Sequence, residues 1–370
     1  MNCLHCGIMK NLIFLAFLWV SPNLVFGQHV FAIQKSRETL KTMIAEEGIV
    51  GLSISVSIQD SLVWSEGFGH SDLNGQTPIN PGETLFRIAS ISKPFTGTLL
   101  ARMYEEDIVA LDASLYDYVP DFPKKKYDFT LRQLAMHRAG IRHYRGSEKE
   151  NTEPLSLEQG LRFFEKSKLR FEPGTEYGYS SYGYNLLGLA LQKAAKKPFE
   201  TLLADYVTQP LGLKNTLPDT GQYENLTTSG FFNSNGKGKI KEAEYVNLFM
   251  KMPCGGLLST SEDLVQFGNA YAQGTFLKAE TQQLVLEDPL LPSGKTTGYG
   301  MGWGVSKDKK GRTFWSHTGG NTGSVCRLVV YPEQKMTIAI VSNTFGIDYL
   351  KFIRNVFQIS NTFLDASPTE

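Results

Sequence analysis

Segments that resemble β-strands occur at both ends of this chain, and helical patterns fill the stretch between them. Near the N-terminus, residues 50–58 and 62–67 are rich in β-forming residues and flank the turn-forming segment 59–61, which predicts a hairpin. Four further strand-like segments lie near the C-terminus, at 299–305, 312–317, 325–331 and 336–342. We therefore predict an α+β fold in which both ends of the chain contribute to one antiparallel sheet, flanked by helices.

The middle of the chain has mainly helical character. The clearest helical segments are 184–195 and 199–207, and further helices are predicted at 34–47, directly after Ser90, and at 347–359. These patterns predict a mainly helical lobe, at about residues 105–245, inserted between the two parts of the sheet. A cleft between this lobe and the sheet is the expected ligand site.

The first residues have the pattern of a secretory signal. Lys10 precedes an apolar run at 12–20 that is too short for a permanent membrane span, and small residues allow cleavage after Gly27. We expect residues 1–27 to be a signal peptide, residues 28–370 a single exported domain, and the location to be periplasmic or secreted. An uncleaved membrane anchor is the alternative, and translation could begin at Met9 instead of Met1.

The composition excludes several classes of partner. The 370 residues include 37 Lys and Arg and 37 Asp and Glu, so no net charge attracts the protein to nucleic acid or to an anionic membrane. None of the six histidines belongs to a metal-binding motif, and we predict no metal and no cofactor. Cys254 and Cys326 are expected to be buried thiols, with a disulfide between them as the alternative.

Ser90 and Lys93 form the strongest candidate for a catalytic pair. They are three residues apart at the start of an apolar helical stretch, so one helical turn would place the serine hydroxyl beside the lysine amine. The same spacing occurs in segments 234–237 and 306–309, but no apolar helix follows either of them. Ser90 is therefore the predicted nucleophile of an acylation reaction.

Two further polar segments accompany this pair. One is Tyr177-Gly178-Tyr179-Ser180-Ser181-Tyr182-Gly183, and the other is Ser316-His317-Thr318-Gly319-Gly320. Together the three segments resemble the serine β-lactamase and D-Ala-D-Ala carboxypeptidase B family, the penicillin-binding-protein-like enzymes, which have Ser-x-x-Lys, Tyr-x-Asn and Lys/His-Thr/Ser-Gly in this order. Segments 64–67 and 140–144 resemble the mitochondrial serine β-lactamase-like branch of that family.

The resemblance implies a role for each matching residue. Ser90 would form an acyl-enzyme, and Lys93 and Tyr179 would transfer protons, with the choice of general base between them left open. The backbone N–H groups of Ser90 and Gly320 would form the oxyanion hole. The resemblance also implies a substrate-binding surface formed by Ser181, His317, Thr318, Gly319 and Gly320.

Two positions depart from the family pattern. Ser181 replaces the asparagine that would hold a substrate amide, and His317 replaces the lysine usual in class C β-lactamases. A mostly neutral imidazole binds a carboxylate less firmly than a fixed cation does. We therefore expect a peptidase or esterase acting on a small molecule or peptide, with weak or no β-lactamase activity.

Three alternatives stay open at the level of sequence. The first is a β-lactamase or D-Ala-D-Ala carboxypeptidase, and the second is a catalytically silent binding or assembly module on the same fold. The third, an α/β-hydrolase esterase, lacks support because the chain has no Gly-x-Ser-x-Gly motif. The sequence does not indicate an oligomeric state.

Overall fold

The computed structural model of the protein describes residues 22–235 and 239–366. The apolar run of the predicted signal peptide, at 12–20, lies outside the described residues. The predicted cleavage position after Gly27 falls within the first described helix, Pro22–Glu47. Within the described residues, no helix has both the length and the apolar composition needed to cross a bilayer.

The described residues form helices and strands in a mixed order. The helices are α1 (Pro22–Glu47), α2 (Ser92–Glu105), α3 (Leu115–Tyr118), α4 (Leu131–Ala135), α5 (Ser181–Ala195), α6 (Phe199–Leu203), α7 (Ser261–Gln273), α8 (Ala279–Leu286) and α9 (Tyr349–Ala366). The strands are β1 (Gly51–Ile58), β2 (Ser61–Gly69), β3 (Phe86–Arg87), β4 (Leu217–Pro218), β5 (Phe232–Ser234), β6 (Ile240–Glu242), β7 (Leu257–Ser259), β8 (Gly304–Lys307), β9 (Thr313–Asn321), β10 (Ser324–Tyr331), β11 (Met336–Ser342) and β12 (Thr344–Phe345).

The central sheet joins both ends of the chain, as predicted. Its six strands lie in the order β2-β1-β11-β10-β9-β8, and all neighbours are antiparallel. The predicted hairpin joins β1 and β2 through Gln59 and Asp60, which both have positive φ angles (51° and 65°). Positive φ at both central residues is typical of a two-residue turn whose twist matches that of the strands.

Successive side chains of each central strand point to opposite faces of the sheet, and a hydrophobic core lies on each face. On β1, Leu52, Ile54 and Val56 face the core formed with α1 and α9. Between them, Ser53 and Ser55 are buried on the other face, where their hydroxyls hydrogen-bond Ser261 of α7 at 2.6 and 2.8 Å. Buried hydroxyls are tolerated there because each has a partner.

Helix α2 connects the sheet to the inserted part of the chain. Almost all of its side chains are buried, and Phe95 stacks on Phe267 of α7 with ring centroids 3.9 Å apart. A helix that is buried on nearly all sides has neighbours on nearly all sides. The N-terminus of α2 is therefore held firmly, with Ser90 immediately before it.

Two sequence predictions differ from the structure in detail. In the predicted helical lobe, α5 and α6 match the expected helices. The other two helices of the lobe, α3 and α4, are short, and a long segment without an α-helix separates α4 from α5. Side-chain caps at Ser114 and Thr130 mark the positions at which α3 and α4 begin. The strand predicted at 299–305 begins only at Gly304, since Gly302 has a φ of 94° and packs against the backbone oxygen of Lys93.

Candidate active site

Ser90 lies in a short 3₁₀ turn, Ala89–Ile91, directly before α2. The preceding residue, Ala89, has a φ of 44°, a left-handed conformation that is unfavourable for alanine. Ser92 stabilises the turn, since its hydroxyl donates to the backbone oxygen of Ala89 at 2.8 Å. Strained backbone of this kind persists where surrounding packing enforces it, and it is frequent at functional sites.

Lys93 lies one turn beyond Ser90, with its side chain fully buried. Its Nζ is 3.1 Å from the Oγ of Ser90 and 2.6 Å from the backbone oxygen of Cys254. The predicted pairing of hydroxyl and amine is therefore present. The carbonyl of Cys254 holds the amine in place, and nothing in the sequence identified this backbone contact.

Tyr179 approaches Ser90 from the segment that precedes α5. Its hydroxyl is 3.0 Å from the Oγ of Ser90, and its ring lies 4.9 Å from the Nζ of Lys93. The serine, lysine and tyrosine side chains therefore meet at one point, although Tyr179 is 89 residues away in the chain. The Ser90 oxygen has two potential proton acceptors within hydrogen-bonding distance.

Two histidines fix the backbone that follows Tyr179. The Nδ1 of His137 accepts a hydrogen bond from the N–H of Ser180, and the Nδ1 of His143 accepts one from the N–H of Ser181, both at 3.1 Å. An imidazole can accept in this way only while that nitrogen is unprotonated. Both histidines therefore act as neutral supports at the start of α5.

The surroundings keep these histidines neutral. Burial, together with the nearby Lys93, holds the pKa of His137 well below its usual range. For His143, burial and then the charges of Lys93 and Arg170 lower the pKa to about 4. Desolvation disfavours the imidazolium, and the neighbouring cations act in the same direction.

Strand β9 carries the third predicted segment. The Nε2 of His317 is 3.0 Å from the hydroxyl of Tyr299, and its Nδ1 is 2.9 Å from the backbone oxygen of Thr318. A carbonyl can only accept, so Nδ1 carries the proton and Nε2 accepts from Tyr299. Burial lowers the pKa of His317 to about 3, and the charge of Lys93 adds to this effect.

The two glycines of β9 differ in their surroundings. A Cβ atom on Gly319 would lie 2.3 Å from the Sγ of Cys326 and 2.4 Å from the backbone oxygen of Ile88. On Gly320 the nearest atom would be in Phe345, at 3.6 Å. Gly319 therefore allows β9 to approach the turn that carries Ser90, whereas a Cβ atom on Gly320 would make only an ordinary contact.

These residues surround a cavity of about 670 Å³. Most of the predicted site residues line it: Ser90, Tyr179, Ser181, His317, Thr318 and Gly320. Lys93 and Gly319 do not line it, since the Lys93 side chain is fully buried and Gly319 packs against Cys326 and the Ile88 backbone. The cavity can admit a ligand to the Ser90 hydroxyl.

Several residues of the site were missed by the sequence prediction. They are His137, His143, Tyr144, Lys251, Cys254 and Tyr299. Cys254 and Cys326 are both free, buried thiols, and the Sγ of Cys254 is 3.3 Å from the hydroxyl of Tyr144. Within the described ranges, no three His, Cys, Asp or Glu side chains are grouped so that they could hold a metal ion.

A buried ion pair lies next to the turn that carries Ser90. The Nε of Arg87 donates to a carboxylate oxygen of Asp219 at 2.8 Å, and both side chains are almost fully excluded from solvent. Other nitrogens of Arg87 donate to the backbone oxygen of Thr322 and to the hydroxyl of Tyr223, both at 3.0 Å. These contacts link the strand before Ser90 to the end of β9 and restrict movement between them.

Comparisons with known proteins identify the family of this chain. The family model described as Beta-lactamase matches residues 37–354. The human mitochondrial serine β-lactamase-like protein LACTB is 30% identical over 84% of this chain and 74% of its own length. The D-alanyl-D-alanine-carboxypeptidase/endopeptidase AmpH of Escherichia coli K12 is 25% identical over 70% of this chain and 71% of its own.

The fold agrees with solved structures as well. The D-amino acid amidase of Ochrobactrum anthropi SV3 superposes with a TM-score of 0.77, at 22% identity, over 91% of this chain and 98% of the amidase. The predicted resemblance and the predicted β-lactamase and transpeptidase-like fold are thus confirmed. The chain belongs to the β-lactamase family and, as a member of it, is a serine hydrolase.

Proposed function

We propose that this protein hydrolyses its substrate through an acyl-enzyme formed on Ser90. The observation that supports this most directly is the convergence of Lys93 and Tyr179 on the Ser90 oxygen, at 3.1 and 3.0 Å, beside an open cavity. A serine hydroxyl becomes an effective nucleophile when a group within hydrogen-bonding distance can take its proton. The three side chains meet this requirement.

In the first step, the Ser90 oxygen bonds to the substrate carbonyl carbon while its proton passes to the Lys93–Tyr179 pair. The pair can take this proton when one of its two members is unprotonated beforehand, and the Cys254 carbonyl holds the Lys93 amine in position beside Ser90. The leaving group then departs with a proton from the pair. In the second step, water attacks the acyl carbon and gives a proton to the pair. The pair returns a proton to the Ser90 oxygen as the bond between that oxygen and the acyl carbon breaks, and the free acid is released.

The backbone N–H groups of Ser90 and Gly320 are the proposed oxyanion hole. Both residues line the cavity, and the close packing of Gly319 on Ile88 brings β9 beside the Ser90 turn. Each such donor contributes about 3 kcal/mol of transition-state stabilisation in serine hydrolases.

A peptide, ester or amide is the proposed substrate, in preference to a β-lactam. His317 is neutral and already hydrogen-bonded to Tyr299, so it offers no fixed positive charge to a β-lactam carboxylate. Ser181 supplies no amide for an acylamido group. AmpH, a D-alanyl-D-alanine-carboxypeptidase/endopeptidase, is a relative consistent with peptidase activity.

Export is the remaining part of the proposal, and the apolar run at 12–20 behind Lys10 supports it. The expected product is a periplasmic or secreted enzyme that begins near Gln28. Mass determination of the N-terminus after expression in a host with a general secretion system tests this. A full-length chain in the cytosolic fraction would contradict it.

Labelling with a fluorophosphonate probe tests the catalytic proposal. We expect the wild-type protein to be labelled and the Ser90→Ala variant to remain unlabelled. Tyr179→Phe should fold normally and lose at least a hundredfold in kcat on a short-chain aryl ester, since proton transfer typically contributes 10² to 10⁴. Absence of labelling in the wild type would support a silent binding module instead.

The substrate preference has a separate test. Initial rates on a chromogenic cephalosporin and on a short-chain aryl ester should differ strongly in favour of the ester. Equal rates would contradict the proposed preference and leave the Ser90 mechanism intact.

A further inference from the structure

One buried cation in the cavity has no part in the chemistry proposed for Ser90. Lys251 ends a 3₁₀ turn, Phe249–Lys251, and only 4% of its surface is exposed. It nevertheless lines the same cavity as Ser90. Its Nζ donates one hydrogen bond, to the backbone oxygen of Lys149 at 2.5 Å, and lies 5.5 Å from the centroid of the Tyr144 ring.

Lys251 has no ion-pair partner among the described residues. Glu150, an acidic side chain that lines the same cavity, pairs instead with the exposed Lys149 at 3.8 Å. A buried ammonium without a carboxylate is unfavourable, and two of its three N–H donors have no acceptor in residues 22–235 and 239–366. If residue 251 served only to stabilise the fold, a methionine or leucine of similar volume would stabilise it more than a lysine does.

The charge on Lys251 is retained at neutral pH despite its burial. Burial lowers the pKa to about 8, with Arg87 acting in the same direction, while Cys254 and Glu150 act against it. Lys149 and the Tyr144 ring are the other neighbours. Most molecules at pH 7 therefore present a cation to the cavity.

Contacts between side chains place Lys251 on the side of the cavity that holds Ser181. Tyr144, which lies under the ammonium, contacts the Sγ of Cys254 and the hydroxyl of Ser181. Ser181 occupies the position at which the family resemblance places the acyl part of a substrate. A substrate whose carbonyl reaches Ser90 would thus extend its acyl group toward Lys251.

We infer that Lys251 selects substrates that carry a carboxylate on the acyl group, and that it binds this carboxylate through its ammonium. The inference rests on the proposed function, because it assumes that Ser90 is acylated. A carboxylate would provide the counter-ion that the described part of the chain does not supply. Charge-assisted hydrogen bonds between an ammonium and a carboxylate are among the stronger polar contacts in a partly desolvated site.

Matched esters test this inference. 4-Nitrophenyl hemiglutarate carries a carboxylate on its acyl chain, and 4-nitrophenyl valerate has the same chain length without the charge. The readout is the ratio of kcat/KM for the charged ester to that for the neutral ester, after subtraction of spontaneous hydrolysis. We expect Lys251→Met to lower this ratio at least tenfold relative to the wild type, about 1.4 kcal/mol.

Lys149→Met is the matched control. Lys149 lines the same cavity, but its side chain is exposed and paired with Glu150, so the ratio should change less than threefold. The wild-type ratio should also fall as pH rises through about 8, where Lys251 loses its proton, and it should stay level in Lys251→Met. This pH dependence tests the inference in the wild type even if the substituted protein folds poorly.

The outcomes separate the two proposals. Ser90-dependent hydrolysis of both esters, with a ratio that neither Lys251→Met nor pH alters, would overturn the role of Lys251 and leave the proposed function standing. Absence of Ser90-dependent hydrolysis of either ester would overturn both. Thermal unfolding of Lys251→Met gives a further measurement: loss of an unpaired buried charge should leave the midpoint unchanged or raise it.

Discussion

Strand β9 and segment 246–256 both line the cavity, but they differ in how they are held and in the charge they present. β9 is paired on both edges, with β8 and β10, whereas segment 246–256 contains a single 3₁₀ turn and no strand. β9 carries the imidazole of His317, with a pKa lowered to about 3, and the segment carries the ammonium of Lys251, with a pKa lowered to about 8.

This difference suits β9 and segment 246–256 to different roles in the cavity. β9 supplies fixed positions around Ser90 and remains uncharged, whereas the segment carries the positive charge that can discriminate between substrates. A fixed geometry near the reacting carbonyl is required for every substrate, because small displacements there slow the reaction greatly. A charge in the less constrained segment affects only substrates that reach it. Three experiments test the β9 side of the comparison.

The largest expected effect is that of Gly319→Ala. The added methyl group would collide with the Ile88 oxygen and the Cys326 sulfur, so β9 must move away from the Ser90 turn. We expect a loss of about 1–3 kcal/mol in the free energy of unfolding. A displacement of about 1 Å should also lower kcat about a hundredfold on any ester, whether or not it carries a charge.

Gly320→Ala is the matched control for this experiment. Its methyl group would meet only Phe345, at an ordinary contact distance of 3.6 Å, so urea unfolding should be unchanged. Equal destabilisation by the two substitutions would show that β9 does not depend on close packing at Gly319.

These residues also show how much of the site could be predicted from sequence. The contact of Ser90 with Lys93 follows from helical spacing, so it could be predicted from four residues. The turn-forming residues between β1 and β2 and the β-forming residues of β10 and β11 are equally local signals. The contact of Tyr179 with Ser90 required the family resemblance, because no local rule brings together residues 89 positions apart.

The rest depended on contacts that have no signature in the sequence. The Cys254 contact to Lys93 uses a backbone oxygen, which every residue has. Lys251 is indistinguishable in the sequence from an ordinary surface lysine, and only packing shows that it is buried. Helix α7 was not predicted, although the sequence carries a signal for its start. Thr260 is a typical N-cap residue, and in the structure its hydroxyl accepts from the N–H of Asp263.

Acidification tests whether the uncharged state around β9 is required for folding. The folded pKa values of His143 and His317, about 4 and about 3, lie below the 6.5 of an unfolded histidine. Below pH 6.5 the unfolded chain therefore binds more protons than the folded chain. The free energy of unfolding should be fully retained above pH 6.5 and should decrease as pH falls, by up to about 1.4 kcal/mol per pH unit for each histidine.

Urea unfolding at several pH values between 7 and 4.5 measures this slope. His143→Gln, which keeps a hydrogen-bond acceptor for the Ser181 N–H, should make the slope smaller. His70→Gln, outside the cavity, is the control. An identical slope in wild type and His143→Gln would mean that the cavity histidines do not determine the acid sensitivity.

The smallest expected effect is that of Tyr299→Phe, which removes one hydrogen bond from β9. In the wild type the Tyr299 hydroxyl donates to the Nε2 of His317 and so favours the neutral imidazole. Without it we expect the pKa of His317 to rise by about one unit and the free energy of unfolding to fall by about 1 kcal/mol at pH 7. Tyr177→Phe is the control, since that ring is 36% exposed and packs beside Tyr299. NMR titration of the His317 ring would measure the change directly: an unchanged midpoint in Tyr299→Phe would mean that burial alone keeps β9 uncharged.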